Sequence, residues 1–217
     1  MSFKDRLSVK KIETAEDREN ALDVLEIVYT DEKGWVEDRQ KLLPIEDIQG
    51  DRVEWWATLL DDRILGVTRV LYEIPTQLYK EYGFELTIPG LDVEAFIANN
   101  KIAEVGRFAV LPKYRKKIHV SAYLMRAAGI AAYKRGFTHF ITDVFEEDPN
   151  TPYGFHRRVL GFQEVATHDV GELKCDSRRV TMLLDLREIA KRVGKEKGWF
   201  YRFLHEEARD LPEVQAS

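Results

Sequence analysis

Apolar residues first recur at helical spacing after Thr14. Ala21, Val24, Leu25 and Val28 share one face, and Thr14 with Asp17 three residues on predicts the helix start. Residues 8–12 before it read as a short strand. The stretches VEWWATLL (53–60) and ILGVTRVLYE (64–73) are dense in β-branched and aromatic residues. Asp61-Asp62-Arg63 between them predicts two strands joined by a tight turn. Residues 74–100 lose this regularity: Pro75, Gly83, Pro89 and Gly90 interrupt them, leaving room for one short helix over 93–98.

The second half is more regular. KIAEVGRFAVL (101–111) reads as a strand ended by Pro112, and 113–119 is a basic loop. Val120, Tyr123, Leu124, Ala127, Ala128 and Ala131 then form a helical stripe that Gly136 closes. A strand over 137–145, a short helix over 153–160 stopped by Gly161, and strands over 162–168 and 179–186 follow. Residues 187–211 carry a helical pattern broken at Gly194 and Gly198. Strand, loop, helix and strand over 101–145 make a βαβ unit, hence two parallel strands, while the surrounding strands pair as hairpins. The expected fold is α/β: a mixed, mostly antiparallel sheet with a parallel pair at its centre and helices on both faces. Nothing resembles a linker or a repeat. A single domain over 1–186 with an insert near 74–100, followed by a helical tail over 187–217, is therefore expected.

Composition narrows the function classes. The 217 residues are 44% hydrophobic and 33% charged, a globular balance. No apolar run reaches the roughly 18–20 residues of a membrane span. With 33 Lys+Arg against 38 Asp+Glu the net charge is −5, a poor basis for nucleic-acid binding through phosphate neutralisation. The start has no apolar core of a signal peptide, which points to the cytoplasm. One cysteine, Cys175, excludes an internal disulfide. The five histidines lack HxxxH spacing, so no metal is expected. There is no GxGxxG, no Walker-type phosphate loop and no G-x-S-x-G elbow.

One basic cluster stands out on this acidic chain. Lys113, Arg115, Lys116, Lys117 and His119 lie directly before a helix, at the C-terminal end of a strand in the βαβ unit. Free N–H groups at a helix start favour an anion, and clustered cations strengthen that preference. A pyrophosphate or phosphopantetheine phosphate suits such a junction; an ordinary solvated loop is the plainer reading.

RFAVLPKYRKKIHVSAYLMRAAGIAAYKRG, then a strand, then FHRRVLGF, resembles the acetyl-CoA-binding half of the GNAT acyltransferase superfamily. Trp35, Gly66-Val67-x-Arg69 and the E-x-x-R-F-A-V element at 104–110 are similar to the branch of acyl-homoserine-lactone synthases and N-acyl amino acid synthases. The resemblance spans roughly 20–168. It implies an acyl-CoA or acyl-phosphopantetheine co-substrate, with an acyl carrier protein as one donor. It also implies a small-molecule amine acceptor and a backbone N–H at Val110 or Leu111 for the oxyanion. The family loop Arg/Gln-x-x-Gly-x-Gly/Ala here reads Arg115-Lys116-Lys117-Ile118-His119-Val120, with branched residues at both small positions. The family's general-acid tyrosine is replaced by Arg157, which leaves Tyr153 or Tyr114 as substitutes.

Acyl transfer to an amine needs a neutral amine, oxyanion donors and a leaving thiolate. Glu104, alone among Ile102, Ala103, Val105 and Gly106, is the general-base candidate; a structural carboxylate paired with Arg69 or Arg107 is the alternative. Strand alternation places Glu104 and Arg107 on opposite faces unless Gly106 hosts a bulge. Asp143 on the next strand is a further catalytic candidate. Trp35, with Trp55 and Trp56, either lines an acyl or acceptor pocket or belongs to the core. Arg69 and Arg107 are candidates to hold an acceptor carboxylate. The expected function is N-acyl transfer from acyl-CoA or acyl carrier protein to a small amine such as an amino acid; a silent module that binds acyl thioesters is the alternative. The apolar positions of the tail suit packing on its own domain or a homodimer.

Overall fold

The computed structural model describes residues 2–75, 77–192 and 203. Eight strands follow the order β1-β2-β3-β5-β6-β8-β7-β4, and the chain divides into two compact units, each made of separate stretches of sequence. The expected mixed sheet with one parallel pair is present.

The first unit comprises Met1–Glu73, Val105–Gly129 and Leu173–Cys175. Strand β1 (Leu7–Lys11) pairs antiparallel with β2 (Val53–Leu60), and β2 with β3 (Arg63–Leu71). The hairpin turns at Asp61, whose φ of 55° is one that Asp tolerates better than bulkier residues. Helix α1 (Ala15–Leu25) begins as predicted: the Thr14 hydroxyl accepts from the Asp17 amide at 3.1 Å, and a π-helical turn over Glu26–Glu32 continues it. Its buried face meets Trp55, Ala57, Leu59, Val67, Ala109 and Leu111. Leu65, Val110, Val120 and Leu124 form a second cluster with Leu7. Alternate residues of β2, β3 and β5 thus feed two cores, one of them built on helix α4 (Ile118–Lys134). Each fully buried aliphatic side chain adds about 1.5–3 kcal/mol. Strand β5 (Ile102–Val110) enters this unit at Val105.

The second unit comprises Ile74–Glu104, Ile130–Glu172 and Asp176–Ser217. Here the N-terminal end of β5 runs parallel to β6 (His139–Phe145), with Ile102, Ala103 and Glu104 opposite His139, Phe140 and Ile141. Antiparallel pairing then joins β6 to β8 (Arg179–Asp185), β8 to β7 (Gln163–His168), and β7 to β4 (Glu85–Leu86). The stretch expected to be mostly irregular holds α2 (Leu78–Glu81), β4 and α3 (Val93–Asn99), whose Asp92 side chain caps the Ala95 amide. The short helix predicted at 153–160 is one α-helical turn, α5 (Tyr153–Phe155), followed by a π-helical turn over His156–Leu160 that Gly161 stops at φ 86°. Helix α6 (Leu186–Arg192) begins the predicted tail; apart from Phe203, which is buried, the rest of that expectation lies outside the described residues.

Candidate active site

The basic junction expected to bind an anion lies in the first unit. Helix α4 starts at Ile118, so Ile118, His119 and Val120 form its first turn instead of closing the loop. A 3-10 turn over Pro112–Tyr114 precedes it. The amides of Tyr114, Arg115, Lys117 and Val120 donate to carbonyls three residues back. The first-turn amides of Ile118 and His119 are those a helix start offers to an anion. Lys113, Lys116 and Lys117 supply the charge. Arg115 is already engaged: its guanidinium forks onto the Glu32 carboxylate, Nη1 to Oε1 at 2.7 Å, and its Nε donates to the Val110 carbonyl at 3.1 Å. Burial, then Lys4, lowers the pKa of His119 and keeps the ring neutral near pH 7. Val120, where the family pattern has a small residue, is wholly buried against Leu65, Val110 and Leu124, and its carbonyl accepts from the Thr58 hydroxyl at 3.1 Å. The branched residue anchors the helix start to the sheet.

Of the two oxyanion candidates, Leu111 is spent: its amide donates to the Leu65 carbonyl at 2.9 Å. Amides alternate in direction along a strand, so the Val110 N–H points to the edge of β5 away from β3. The irregularity expected at Gly106 sits one residue on. Arg107 takes a φ of 48°, strained for a bulky side chain, while the Gly106 carbonyl accepts from the Thr68 hydroxyl at 3.1 Å.

Two of the three proposed acceptor-binding residues meet at Tyr29. The Arg107 guanidinium lies 5.6 Å from the Tyr29 ring centre, and the Trp35 ring lies 5.8 Å from it. Arg107 is buried, whereas Trp35 packs half-exposed against the α1 core. Arg69 is half-buried on β3 opposite Trp55. Trp55 is core, its indole N–H bonded to Asp47 at 2.9 Å.

The carboxylates belong to the second unit. Glu104 lies in parallel register with Ile141, and Asp143 follows two residues on, so the pleat puts both acids on one face. Both act on Tyr82: burial first, then the charges of Glu172, Glu104 and Asp143, push its phenol pKa up and keep it protonated at neutral pH. The ring of Tyr82 stacks on His168 at 5.7 Å and 8°, and Phe84 stacks on the same imidazole at 4.5 Å. Gly83 between them, at φ 66°, ends α2 and lets both rings reach His168. Asp143 Oδ1 accepts from the Thr181 hydroxyl at 2.7 Å and lies 3.2 Å from His168 Nε2. Tyr153 stands in another group: its hydroxyl bonds to Glu164 and accepts from Arg157, and the bond to Glu164 raises its pKa.

No family model and no curated protein sequence matches the chain. Solved structures do. FeeM, an N-acyl amino acid synthase from uncultured soil microbes, superposes with a TM-score of 0.63 over 84% of this chain and 92% of its own at 15% identity. An acetyltransferase from Streptococcus agalactiae gives 0.56 over 82% and 99% at 18% identity. The ribosomal-protein-S18-alanine N-acetyltransferase from Escherichia coli gives 0.55 over 83% and 94% at 12% identity. The chain has the GNAT fold.

Within this GNAT fold, the structure brings two of the sequence candidates, Glu104 and Asp143, to one face, and two others, Trp35 and Arg107, to one tyrosine. The sequence reading missed Tyr82, His168 and Tyr29. The first two meet through residues more than 80 positions apart, and Tyr82 lies where periodicity gave no signal. The Tyr-Gly-Phe run at 82–84, two aromatics about a glycine, was the one available cue. Among the described residues no group of His, Cys, Asp and Glu is placed to hold a metal ion, and no helix is long and apolar enough to cross a membrane.

Proposed function

We propose that the protein is an N-acyltransferase that moves an acyl group from acyl-CoA or an acyl carrier protein to the amine of a small acceptor such as an amino acid. The observation that carries this reading is the shared face of Glu104 and Asp143, whose charges both act on the Tyr82 phenol. In this reading Glu104 takes a proton from the acceptor ammonium, and the freed nitrogen attacks the thioester carbonyl carbon. The Val110 N–H steadies the oxyanion; the C–S bond then breaks, the thiolate takes its proton from Tyr82, and the resulting phenolate takes the second proton of the attacking nitrogen, leaving a neutral amide. Tyr82 replaces Tyr153 as proton donor, because the Tyr153 hydroxyl is bound to Glu164. The pantetheine phosphates fall to the Ile118 and His119 amides with Lys113, Lys116 and Lys117. Arg107 and Trp35 are the side chains for the acceptor carboxylate and its apolar part. The N-acyl amino acid synthase activity of FeeM supports the choice of acceptor.

Thiol release, measured for a panel of acyl-CoAs and acyl carrier proteins each paired with amino acids, tests the proposal. No release from any pair by folded protein sinks it. Glu104→Gln is expected to lower kcat by about 10²-fold with an unchanged melting temperature; equal loss of both marks a structural carboxylate. The engagement of Arg115 with Glu32 favours one competing reading, a silent module that binds acyl thioesters. Native mass spectrometry that finds a bound acyl thioester which never turns over would decide for it.

A further inference from the structure

His168 is a buried titratable side chain that the proposed chemistry leaves unused. Its side chain has 0% exposure at the end of β7, where Arg179, also buried, stands opposite it on β8. The ring is fixed from several directions. Nδ1 lies 2.6 Å from the Val170 carbonyl, so it carries the proton of that hydrogen bond. Tyr82 and Phe84 stack on the ring, which sets its plane. Nε2 then faces Asp143 Oδ1 at 3.2 Å, within ion-pair reach although outside straight hydrogen-bond geometry. Thr181, opposite Asp143 on β8, donates to the same oxygen at 2.7 Å. Asp143 itself is open to solvent at about a third of its side chain. Oδ1 is therefore held from the buried side by the Thr181 hydrogen bond and, when the ring carries a proton on both nitrogens, by an ion contact with His168 Nε2, while neither contact uses Oδ2.

We propose that His168 is a positioning residue for the acyl-transfer reaction, holding Asp143 Oδ1 so that Oδ2 is presented to the acceptor amine. This rests on the reading of Asp143 as part of the acyltransferase site. Burying an imidazole between two aromatic rings only to fill space is costly when Leu or Phe would serve. Orienting a solvent-facing carboxylate gives the buried ring a purpose, because a carboxylate on a strand is otherwise free to turn about its side-chain torsions.

Two substitutions separate the ring nitrogens. His168→Gln keeps a donor at the reach of Nε2, towards Asp143, and gives up Val170. His168→Asn keeps the Nδ1 contact with Val170 and gives up Asp143. Steady-state thiol release is expected to show kcat about tenfold lower for Asn with acceptor KM within twofold, and kcat restored to within about threefold for Gln. Adding His168→Asn to Asp143→Asn should cost nothing further. Thr181→Val, which keeps the shape and removes the other hold on Oδ1, should lower kcat in the same way and provides the test if both His168 variants melt early. Equal kcat for folded Asn and Gln variants, or a loss from His168→Asn that persists on Asp143→Asn, overturns the assignment while the acyltransferase reading stands. Wild-type protein that releases no thiol from any pair overturns both.

Discussion

At the scale of single residues, Arg115 shows how a side chain of the expected type can be diverted. Its place in the loop suggests a phosphate ligand, yet Glu32 holds the guanidinium and the Val110 carbonyl takes its Nε. Both side chains are about a quarter exposed, so the pair itself adds about 1 kcal/mol or less. Its larger effect is competition with an incoming phosphate. Glu32→Gln should free the guanidinium and lower the Kd for coenzyme A severalfold, measured by calorimetry, whereas Lys116→Ala should raise it. Coenzyme A binding that ignores both changes would remove the loop from the donor site. Nothing in the local sequence signals this diversion, because Glu32 stands 83 positions away and meets Arg115 only once the first unit has folded.

At the scale of elements, what was legible was local. The Thr14 cap, the Asp61-Asp62 turn and the apolar stripe of α4 depend on neighbours within a few residues, and each lies where the pattern put it. The insert was not, because two-residue β4 is made by pairing with Thr167 and Ala166 and not by its own propensity. The start of α4 was misplaced by two residues because Ile118 and His119 extend the helix beyond the buried stripe. Gly66 marks where element packing is tightest. A Cβ there would sit 2.9 Å from the Ala109 carbonyl, 3.1 Å from Val110 and 3.3 Å from Leu124. Gly66→Ala must push β3 away from the segment that carries the Val110 amide. A loss of about 1–3 kcal/mol in urea unfolding is expected, with a fall in kcat. Unchanged values for both would show that the strand yields without cost.

For the molecule as a whole, acid sensitivity follows from buried histidines. His156 is fully buried, and desolvation lowers its pKa from 6.5 to about 4, against the hydrogen bond to the Pro152 carbonyl. The folded state therefore resists a proton that the unfolded chain accepts. The stability involved is intact above pH 6.5 and is lost as pH falls towards 4, by on the order of 3 kcal/mol. His139, lowered by burial in spite of Asp185, acts in the same direction. Melting temperatures between pH 7 and 4 should fall, and His156→Leu should flatten the slope; a slope unchanged by that substitution would assign acid lability elsewhere.

The outermost strands carry a different consequence. Among the described residues β1 and β4 are the outermost strands: β1 carries Lys10 and Lys11, and β4 offers only two residues, one of them Glu85 paired with Arg178. Another chain seeking to extend the sheet would meet charged ion pairs at one end, Lys10 with Asp17 and Lys11 with Glu13 and Glu54, and a two-residue ladder at the other. Growth of the sheet by addition of a further strand is disfavoured at both of these positions.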